Sequence, residues 1–373
     1  MAGIYIHIPF CRQACNYCDF HFSTSMRHKG DMVNALNQEL VQRKDYLGEA
    51  AVNTLYFGGG TPSLLTEEEL QSIMHTLHQH YNLEKLGECT LEANPDDMNA
   101  NYLSMLKRLG INRLSIGVQS FVEQDLRFMN RAHTASEALD AIKTAQDIGL
   151  DNITIDLIYG TPGLSDEQWQ ENLFTAINSG IQHISAYALT VEERTALAHQ
   201  IKQGKVAAPM SEQAATQFEI MLGMLKEAGF VHYEISNFAK DGFFAQHNTN
   251  YWKGVPYLGI GPSAHSFNGH SRQWNIANNA LYIKAINNQT QAFEIEHLSI
   301  ADQMNELILT GLRTMWGISL ADFAERFGTD AQTQLLIAAQ KIDPAHLIIS
   351  TDCLVLTDAG KLYADNIALR LFF

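Results

Sequence analysis

The sequence predicts an α/β fold made of parallel βα units, followed by a small α+β domain. Six apolar stretches are each short enough for a strand and rich in Ile, Val, Leu or aromatic residues, and helical patterns lie between them. Strands that alternate with helices favour a parallel sheet, either open or partly closed into a barrel. The predicted strands span residues 4–8, 54–57, 89–93, 113–118, 153–158 and 183–187.

The spacing of apolar residues predicts helices between these strands. Trp169, Leu173 and Ile177 recur every four residues after the fifth strand, and residues 218–225 carry an apolar stripe after the sixth. Each pattern gives a helix with one buried face, which can cover the sheet.

The last part of the chain predicts a separate small domain that resembles a winged helix. Residues 300–312 form an amphipathic pattern, and a short helix follows at 318–327. Residues 347–356 read as a hairpin that turns at positions 351–352, and Thr357 is a good N-cap for a final helix. We therefore expect three parts: a barrel at 1–235, an aromatic and Gly-rich connecting region at 236–295, and a helical and hairpin domain at 296–373.

Composition narrows the class of protein. The 373 residues are 46% apolar, which is enough for a full core, and 25 Lys and Arg against 41 Asp and Glu give a formal charge of −16. Such a charge opposes binding to phosphate backbones, so we expect no nucleic-acid partner. No apolar run is long enough to span a bilayer and no signal peptide is evident, so we expect a cytoplasmic protein that is not an integral membrane protein.

Three cysteines, Cys11, Cys15 and Cys18, lie within eight residues after the first predicted strand. Disulfides would need an even number of partners and an oxidising compartment. Structural zinc would need a fourth ligand, for which Asp19 and His21 are close enough, and it stays an alternative. An iron-sulfur cluster on three thiolates would leave one iron open to a substrate or cofactor. The other two cysteines, at 89 and 353, are isolated and expected to be buried.

Polar or Gly-rich residues follow each of the six strands. After the cysteine loop come GGGTP at 58–62, Glu92, Gln119, Asp156 and Tyr187. Each alone could cap a turn or satisfy a loop amide. Because ligands gather at the carboxyl ends of parallel strands, the repetition predicts one shared pocket.

Residues 246–267 combine His, Tyr, Trp, Phe and Gly. Imidazole is a good ligand for haem iron and aromatic faces suit a flat macrocycle, so His247, Tyr251 and Trp252 are candidate haem contacts. From residue types alone, an aromatic segment that only packs over the open side of the barrel is the commoner case.

Taken in order, CRQACNYC, GGGTP, LEANP, SIGVQSF and IDLIYGTPG resemble the radical S-adenosylmethionine superfamily, and within it the coproporphyrinogen dehydrogenase-like branch. The resemblance spans essentially the whole chain. It implies a partial (β/α)6 radical-SAM barrel with a 4Fe-4S cluster on Cys11, Cys15 and Cys18. In this superfamily the reduced cluster passes an electron to S-adenosylmethionine, which yields a deoxyadenosyl radical.

The resemblance also implies which residues contact S-adenosylmethionine. It assigns the nucleoside to two tyrosines, the methionyl end to the glycine loop and further contacts to polar residues at the strand ends. The implied contacts are Tyr5, Tyr17, Gly59, Gly60, Thr61, Glu92, Gln119, Arg131, Asp156 and, more weakly, Ala188.

Two features distinguish groups within the branch. The oxygen-independent coproporphyrinogen oxidases carry a further Cys where this chain has Phe20, and they have an N-terminal extension that this sequence does not show. HNTNYW, residues 247–252, matches the HNxxYW pattern of the HemW haem chaperones. The resemblance therefore implies haem binding near His247, with His265 as a second candidate iron ligand, and transfer to apo-haem proteins such as membrane respiratory enzymes. The oxidase, a radical enzyme that decarboxylates propionate side chains, is the alternative.

Overall fold

The structure, a computed structural model, describes all residues from 1 to 373. Fifteen strands and fifteen helices account for its regular structure, with two short 3-10 turns at Pro62–Leu64 and Pro95–Asp97. The strands are β1 (Ala2–Ile8), β2 (Val52–Gly59), β3 (Glu88–Ala93), β4 (Arg113–Gln119), β5 (Ile153–Tyr159), β6 (His183–Ala188), β7 (Val231–Glu234), β8 (Asn237–Ala239), β9 (Tyr257–Ile260), β10 (His265–Phe267), β11 (Ser271–Asn275), β12 (Phe293–His297), β13 (Ile318–Ser319), β14 (Leu347–Ile349) and β15 (Cys353–Leu356). The helices are α1 (Lys29–Gln42), α2 (Glu67–His80), α3 (Ala100–Arg108), α4 (Glu123–Phe128), α5 (Ala135–Asp147), α6 (Asp166–Asn178), α7 (Ala196–Lys202), α8 (Ser211–Glu227), α9 (Gln246–Trp252), α10 (Asn279–Asn287), α11 (Ile300–Leu312), α12 (Leu320–Phe327), α13 (Thr329–Ala339), α14 (Asp358–Lys361) and α15 (Ala364–Leu371).

The six predicted strands are confirmed as β1 to β6. They pair in parallel and in chain order, so their carboxyl ends meet along one edge. The predicted α/β fold, a partial barrel of six βα units, is therefore correct.

The sheet continues beyond the six parallel strands on both sides. Strand β9 pairs in parallel with β1, and β10, β11 and β12 follow in antiparallel order. On the other side β6 pairs with β8, and β8 with β7. Residues 257–297 thus contribute four strands to the sheet of the barrel, including the exposed edge strand β12, although residues 236–295 were expected to be a connecting region.

Side chains of β1 alternate between two environments. Ile4, Ile6 and Ile8 are at most 1% exposed and belong to a core cluster of 54 buried residues. The intervening residues Tyr5 and His7 contact each other on the opposite, polar face, with the Tyr5 hydroxyl 3.1 Å from His7 Nδ1. Strands built this way bury apolar residues under the helices and present polar side chains to the inside of the barrel.

The C-terminal domain has its own core cluster of 16 buried residues. It joins the barrel at β7, where the Ile235 N–H donates to the carbonyl of Arg313 and Glu234 forms a bridge with Thr314. The amphipathic helix and the hairpin are confirmed, and the short helix begins at Leu320 after the two-residue strand β13. Cys89 is fully buried, but Cys353 is only half-buried because it lies next to the hairpin turn, which corrects that expectation. No helix of the protein combines the length and apolar character needed to cross a bilayer.

Candidate functional site

The loop that carries the three cysteines follows β1 and is fixed against the segment after α4. The Asn16 N–H donates to the carbonyl of Met129 at 3.1 Å, and the Asn130 side chain donates to the carbonyl of Ala14 at 2.7 Å. Cys11, Cys15 and Cys18 are all half-buried free thiols. The structure therefore holds three thiols on one anchored loop at the carboxyl edge of the sheet.

Arg131 connects this loop to two strands. Its Nη1 donates to the Cys15 sulfur at 3.2 Å, and its Nη2 donates to Asn94 Oδ1 at 2.7 Å and to the carbonyl of Gly117 at 2.6 Å. Its Nε is buried and has no partner. A buried cation that donates to a thiol favours an anionic sulfur species there.

The donor set fits a 4Fe-4S cluster. Burial raises the pKa of Cys18 to about 11, so its free thiol is protonated at neutral pH and iron binding must displace the proton. No group of three or more His, Cys, Asp or Glu side chains is arranged to hold a single metal ion. His21 is turned away, since its Nε2 lies 2.7 Å from Asn279 Oδ1. The geometry thus offers no preformed zinc site, whereas three thiols can serve separate irons of a larger cluster.

The glycine loop after β2 passes close to the chain that leads into the cysteines. A Cβ at Gly60 would lie 2.6 Å from the carbonyl oxygen of Phe10, and Gly59 adopts a φ of 107°. No side chain fits at the first position and only Gly adopts the second backbone readily. The Gly59 N–H donates to Glu92 Oε2 at 3.0 Å, and Asn94 Nδ2 donates to the hydroxyl of Thr61 at 3.3 Å.

Burial raises the pKa values of two carboxyl groups inside the barrel. It raises the pKa of Asp156 to about 7, with a further contribution from the negative charge of Glu92, and it raises the pKa of Glu92. The hydroxyl of Tyr56 donates to Glu92 Oε1 at 2.8 Å. A cationic ligand at this edge would stabilise both carboxylates in their charged forms.

The other predicted contacts lie around the same edge. Gln119 ends β4 with a φ of 71°, a strained conformation for a residue other than Gly. Tyr17 packs against a small apolar cluster beside the cysteine loop, Tyr5 stacks on Tyr56 with ring centroids 6.0 Å apart, and Ala188 ends β6. The structure therefore brings the predicted cluster and S-adenosylmethionine residues to one edge of the barrel.

His247 lies in a different place, near the amino ends of the strands. It is 1% exposed, and both ring nitrogens have partners: Nδ1 is 2.9 Å from the Thr54 hydroxyl and Nε2 is 2.7 Å from the Tyr251 hydroxyl. Its ring stacks on Tyr56 at 5.1 Å. Burial lowers the pKa of His247 to about 3, so the ring is neutral at physiological pH. His265, in contrast, is exposed at the start of β10.

A cleft of about 870 Å³ lies between helix α9, the β10–β11 hairpin and the C-terminal domain. Tyr251 and Trp252 of the HNTNYW segment line it, but neither His247 nor His265 does. Its other notable lining residues are aromatic (Tyr257, Phe267 and Trp316), cationic (Lys253, Arg272 and Arg326) and acidic (Glu306, Asp322 and Glu325).

Sequence reasoning missed three residues that organise these sites. Asn94 joins Arg131 to Thr61, Tyr56 joins Glu92 to His247, and Glu88 accepts the backbone N–H groups at the start of α9. The signal was present in the strands: alternate positions of β2 and β3 carry polar side chains, which in a barrel strand point to the interior.

Comparisons with known proteins agree with this geometry. Residues 5–176 match the model of the radical SAM superfamily, and residues 298–363 match the HemN C-terminal domain. The fold is similar to that of the coproporphyrinogen III oxidase HemN from Escherichia coli, with a TM-score of 0.86 and 23% identity over 100% of this chain and 90% of that one. The barrel, the cysteine loop and the glycine loop therefore define a radical SAM protein, a class that implies a 4Fe-4S cluster and S-adenosylmethionine.

Two curated relatives narrow the assignment. The chain is 34% identical to the heme chaperone HemW of Bacillus subtilis, over 98% of both chains. It is 35% identical to the heme chaperone HemW of Mycobacterium tuberculosis, over 99% of this chain and 94% of the relative. The chain belongs to the HemW family.

Proposed function

We propose that this protein is a haem chaperone, which binds haem in the cleft beside α9 and transfers it to apo-haem proteins. The observation that carries the proposal is the cleft itself, because two residues of the HNTNYW segment line it and it lies apart from the cysteine edge. Its volume of about 870 Å³ is within the range of pockets that bury a cofactor.

The lining suits a flat dicarboxylate. Trp252 and Trp316 contribute aromatic rings, and Lys253, whose Nζ lies 4.4 Å from the centre of the Trp316 ring, offers a cation for a propionate. Arg272 is paired with Glu306, so a propionate would have to compete for it. The Trp252 Nε1 is buried without a partner, so a ligand carboxylate could accept its hydrogen bond. Glu306, Asp322 and Glu325 also line the cleft, so a ligand with more negative charges than a dicarboxylate would be disfavoured.

In this proposal His247 supports the haem site through Tyr251, whose hydroxyl it holds at 2.7 Å. Direct ligation of iron by Nε2 would require the ring to leave that hydrogen bond. His265 is exposed and is the second candidate for a direct ligand. Spectra of haem bound to His247→Ala and His265→Ala would separate the two, because loss of an axial ligand changes the absorption bands and loss of a support changes mainly the affinity.

The cluster and S-adenosylmethionine occupy the opposite edge in this proposal. Cys11, Cys15 and Cys18 would hold the cluster, which supplies one-electron chemistry to S-adenosylmethionine when both are bound. Arg131 would neutralise charge beside the cluster, and Glu92 would attract the cationic ligand. We further propose a cytoplasmic location and acceptors among respiratory haem enzymes at the membrane.

The alternative, a coproporphyrinogen oxidase, has less support. The residue two positions after Cys18 is Phe20, which is 67% exposed and offers no thiol. The likeness to the HemN structure concerns the fold.

The test is anaerobic reconstitution of the cluster, followed by haem titration and by an assay of coproporphyrinogen conversion with reductant and S-adenosylmethionine. We expect stable haem binding, transfer to an apo-haem protein and no conversion. Trp316→Ala should weaken haem binding about tenfold, since one aromatic wall is lost. Phe174→Ala is the control, because Phe174 is an exposed aromatic residue on α6 that does not line the cleft. Turnover of coproporphyrinogen without stable haem binding would overturn the proposal in favour of the oxidase.

A further inference from the structure

A continuous line of side-chain contacts runs from the cleft to the glycine loop. Tyr251 lines the cleft and its hydroxyl lies 2.7 Å from Nε2 of His247. The His247 ring stacks on Tyr56 with centroids 5.1 Å apart and planes at 27°. The Tyr56 hydroxyl donates to Oε1 of Glu92 at 2.8 Å, and Oε2 of Glu92 accepts the N–H of Gly59 at 3.0 Å. Four side chains thus connect one candidate ligand site to the other.

The middle of this line is held tightly. The Thr54 hydroxyl lies 2.9 Å from Nδ1 of His247, Glu88 accepts its backbone N–H at 2.8 Å, and a Cβ at Gly3 would lie 3.2 Å from its ring. Because the ring is neutral, one nitrogen donates and the other accepts, so the hydroxyls of Thr54 and Tyr251 must take opposite roles. The network therefore has two discrete hydrogen-bond arrangements, as coupling between sites requires.

The charge on Glu92 determines whether a ligand at the glycine loop strengthens or weakens binding in the cleft. Burial raises the pKa of this carboxyl group, and a cationic ligand at the glycine loop would favour its charged form. A charged acceptor strengthens the hydrogen bond from Tyr56 and so fixes the ring on which His247 stacks. A ligand against Tyr251 favours one hydrogen-bond arrangement of the same side chains from the other end. Whichever ligand binds second then meets side chains that are already in the favoured arrangement.

We propose that the two sites are positively coupled through Tyr251, His247, Tyr56 and Glu92, so that S-adenosylmethionine tightens tetrapyrrole binding in the cleft and the tetrapyrrole tightens S-adenosylmethionine binding by the same factor. This inference rests on the proposed function of the cleft. Tyr56 is then a positioning residue, since it acts on the cleft only through His247.

The test measures affinities on the full-length, cluster-reconstituted protein with the cluster kept oxidised, so that no turnover occurs. Haem is titrated with and without saturating S-adenosylmethionine, and S-adenosylmethionine with and without haem. We expect each ligand to lower the dissociation constant of the other by about fivefold or more, and the two factors to be equal. Tyr56→Phe removes the hydroxyl and keeps the ring, so the factor should fall to near one while each ligand alone still binds.

Tyr159→Phe is the matched control, since Tyr159 packs against Trp169 and Phe218 outside the line of contacts, and it should keep the full factor. If Tyr56→Phe does not fold, Thr54→Val removes the hydrogen bond to Nδ1 that holds the His247 ring in the line, and it should also lower the factor. Equal haem affinity with and without S-adenosylmethionine in the unmodified protein, or an unchanged factor in Tyr56→Phe, would overturn the coupling alone. Absence of haem binding under every condition would overturn the proposed function as well.

Discussion

The carboxylate of Glu88, on strand β3, accepts the backbone N–H of His247 at 2.8 Å. Its other oxygen accepts the N–H of Gln246 at the same distance, so a strand of the barrel caps the first turn of α9. This contact fixes the helix that brings Tyr251 and Trp252 to the cleft.

Glu88→Gln should therefore weaken this helix, because a neutral amide is a poorer partner for two N–H groups at a helix start. We expect the free energy of unfolding to fall by at least about 1 kcal/mol, the usual value of a cap, and haem binding to weaken. Glu88 also lies 3.9 Å from the buried Arg113 guanidinium, so loss of its charge adds to the effect. Urea denaturation and haem titration measure the two effects. Glu84→Gln, at an exposed position, is the control and should behave as the unmodified protein. Equal stability of the two variants would contradict the capping role.

Removal of one cysteine thiol should abolish the cluster. In Cys15→Ala the cluster loop keeps two thiols, which cannot hold a 4Fe-4S cluster with a single open iron. The measurement is the visible absorbance and iron content after anaerobic reconstitution. Cys353→Ala, in the C-terminal hairpin, should keep both. Zinc at full occupancy in protein purified without oxygen would refute the assignment.

Replacing the cation beside the cluster should make the cluster harder to reduce. Arg131→Met removes a positive charge and the hydrogen bond to the Cys15 sulfur, both of which favour the reduced, more negative state. We expect the reduction potential to fall by tens of millivolts in a redox titration followed by electron paramagnetic resonance. Arg127→Met removes an exposed cation from the same segment and should leave the potential almost unchanged. A potential that moves equally in both variants would point to a general charge effect.

The buried histidine should make stability depend on pH. Burial lowers the pKa of His247 to about 3, against about 6.5 in the unfolded chain, so unfolding takes up a proton below pH 6.5. The contribution of His247 to the free energy of unfolding is complete above about pH 6.5. It is lost as the pH falls toward 3, by up to about 1.4 kcal/mol per pH unit.

Urea unfolding of the unmodified protein and of His247→Gln at a series of pH values tests this. The unmodified protein should be the more stable one at pH 7.5, and the difference should shrink below about pH 5.5. His75→Gln, at an exposed site, is the control and should follow the unmodified protein at every pH. A difference that stays constant with pH would show that His247 does not remain neutral in the folded state.

Local patterns were sufficient for the six parallel strands β1 to β6 and for the edge at which their carboxyl ends meet, but not for strands β7 to β12. The stretch predicted at 113–118 is β4, Arg113–Gln119, because a buried parallel strand is apolar enough to be evident by itself. The polar residues that follow such strands meet at one edge through geometry alone, which is why Glu92 and the glycine loop could be grouped from their positions in the chain.

Contacts between distant segments could not be predicted in this way. The burial of His247 depends on Thr54 and Glu88, which come from other parts of the chain, and a seven-residue helix has too little periodicity to indicate its buried face. Strand β12 was missed although Phe293 and Ile295 alternate with Glu294 and Glu296, because the pattern covers only five residues of an otherwise polar stretch and most of the strand is exposed at the edge of the sheet. Cys353 was expected to be buried, but its exposure is set by the hairpin turn beside it.

The parallel pairing of β1 with β9 has a consequence for how the protein is made. Gly3 pairs with Tyr257, so β1 lacks one neighbour until about 250 further residues have been synthesised. At usual rates of translation this delay is roughly 10–50 s. During it the strand that leads into the cysteines presents an unpaired edge, to which other chains can pair. The nascent chain therefore has a period of vulnerability at this edge of β1, which ends only when β9 emerges.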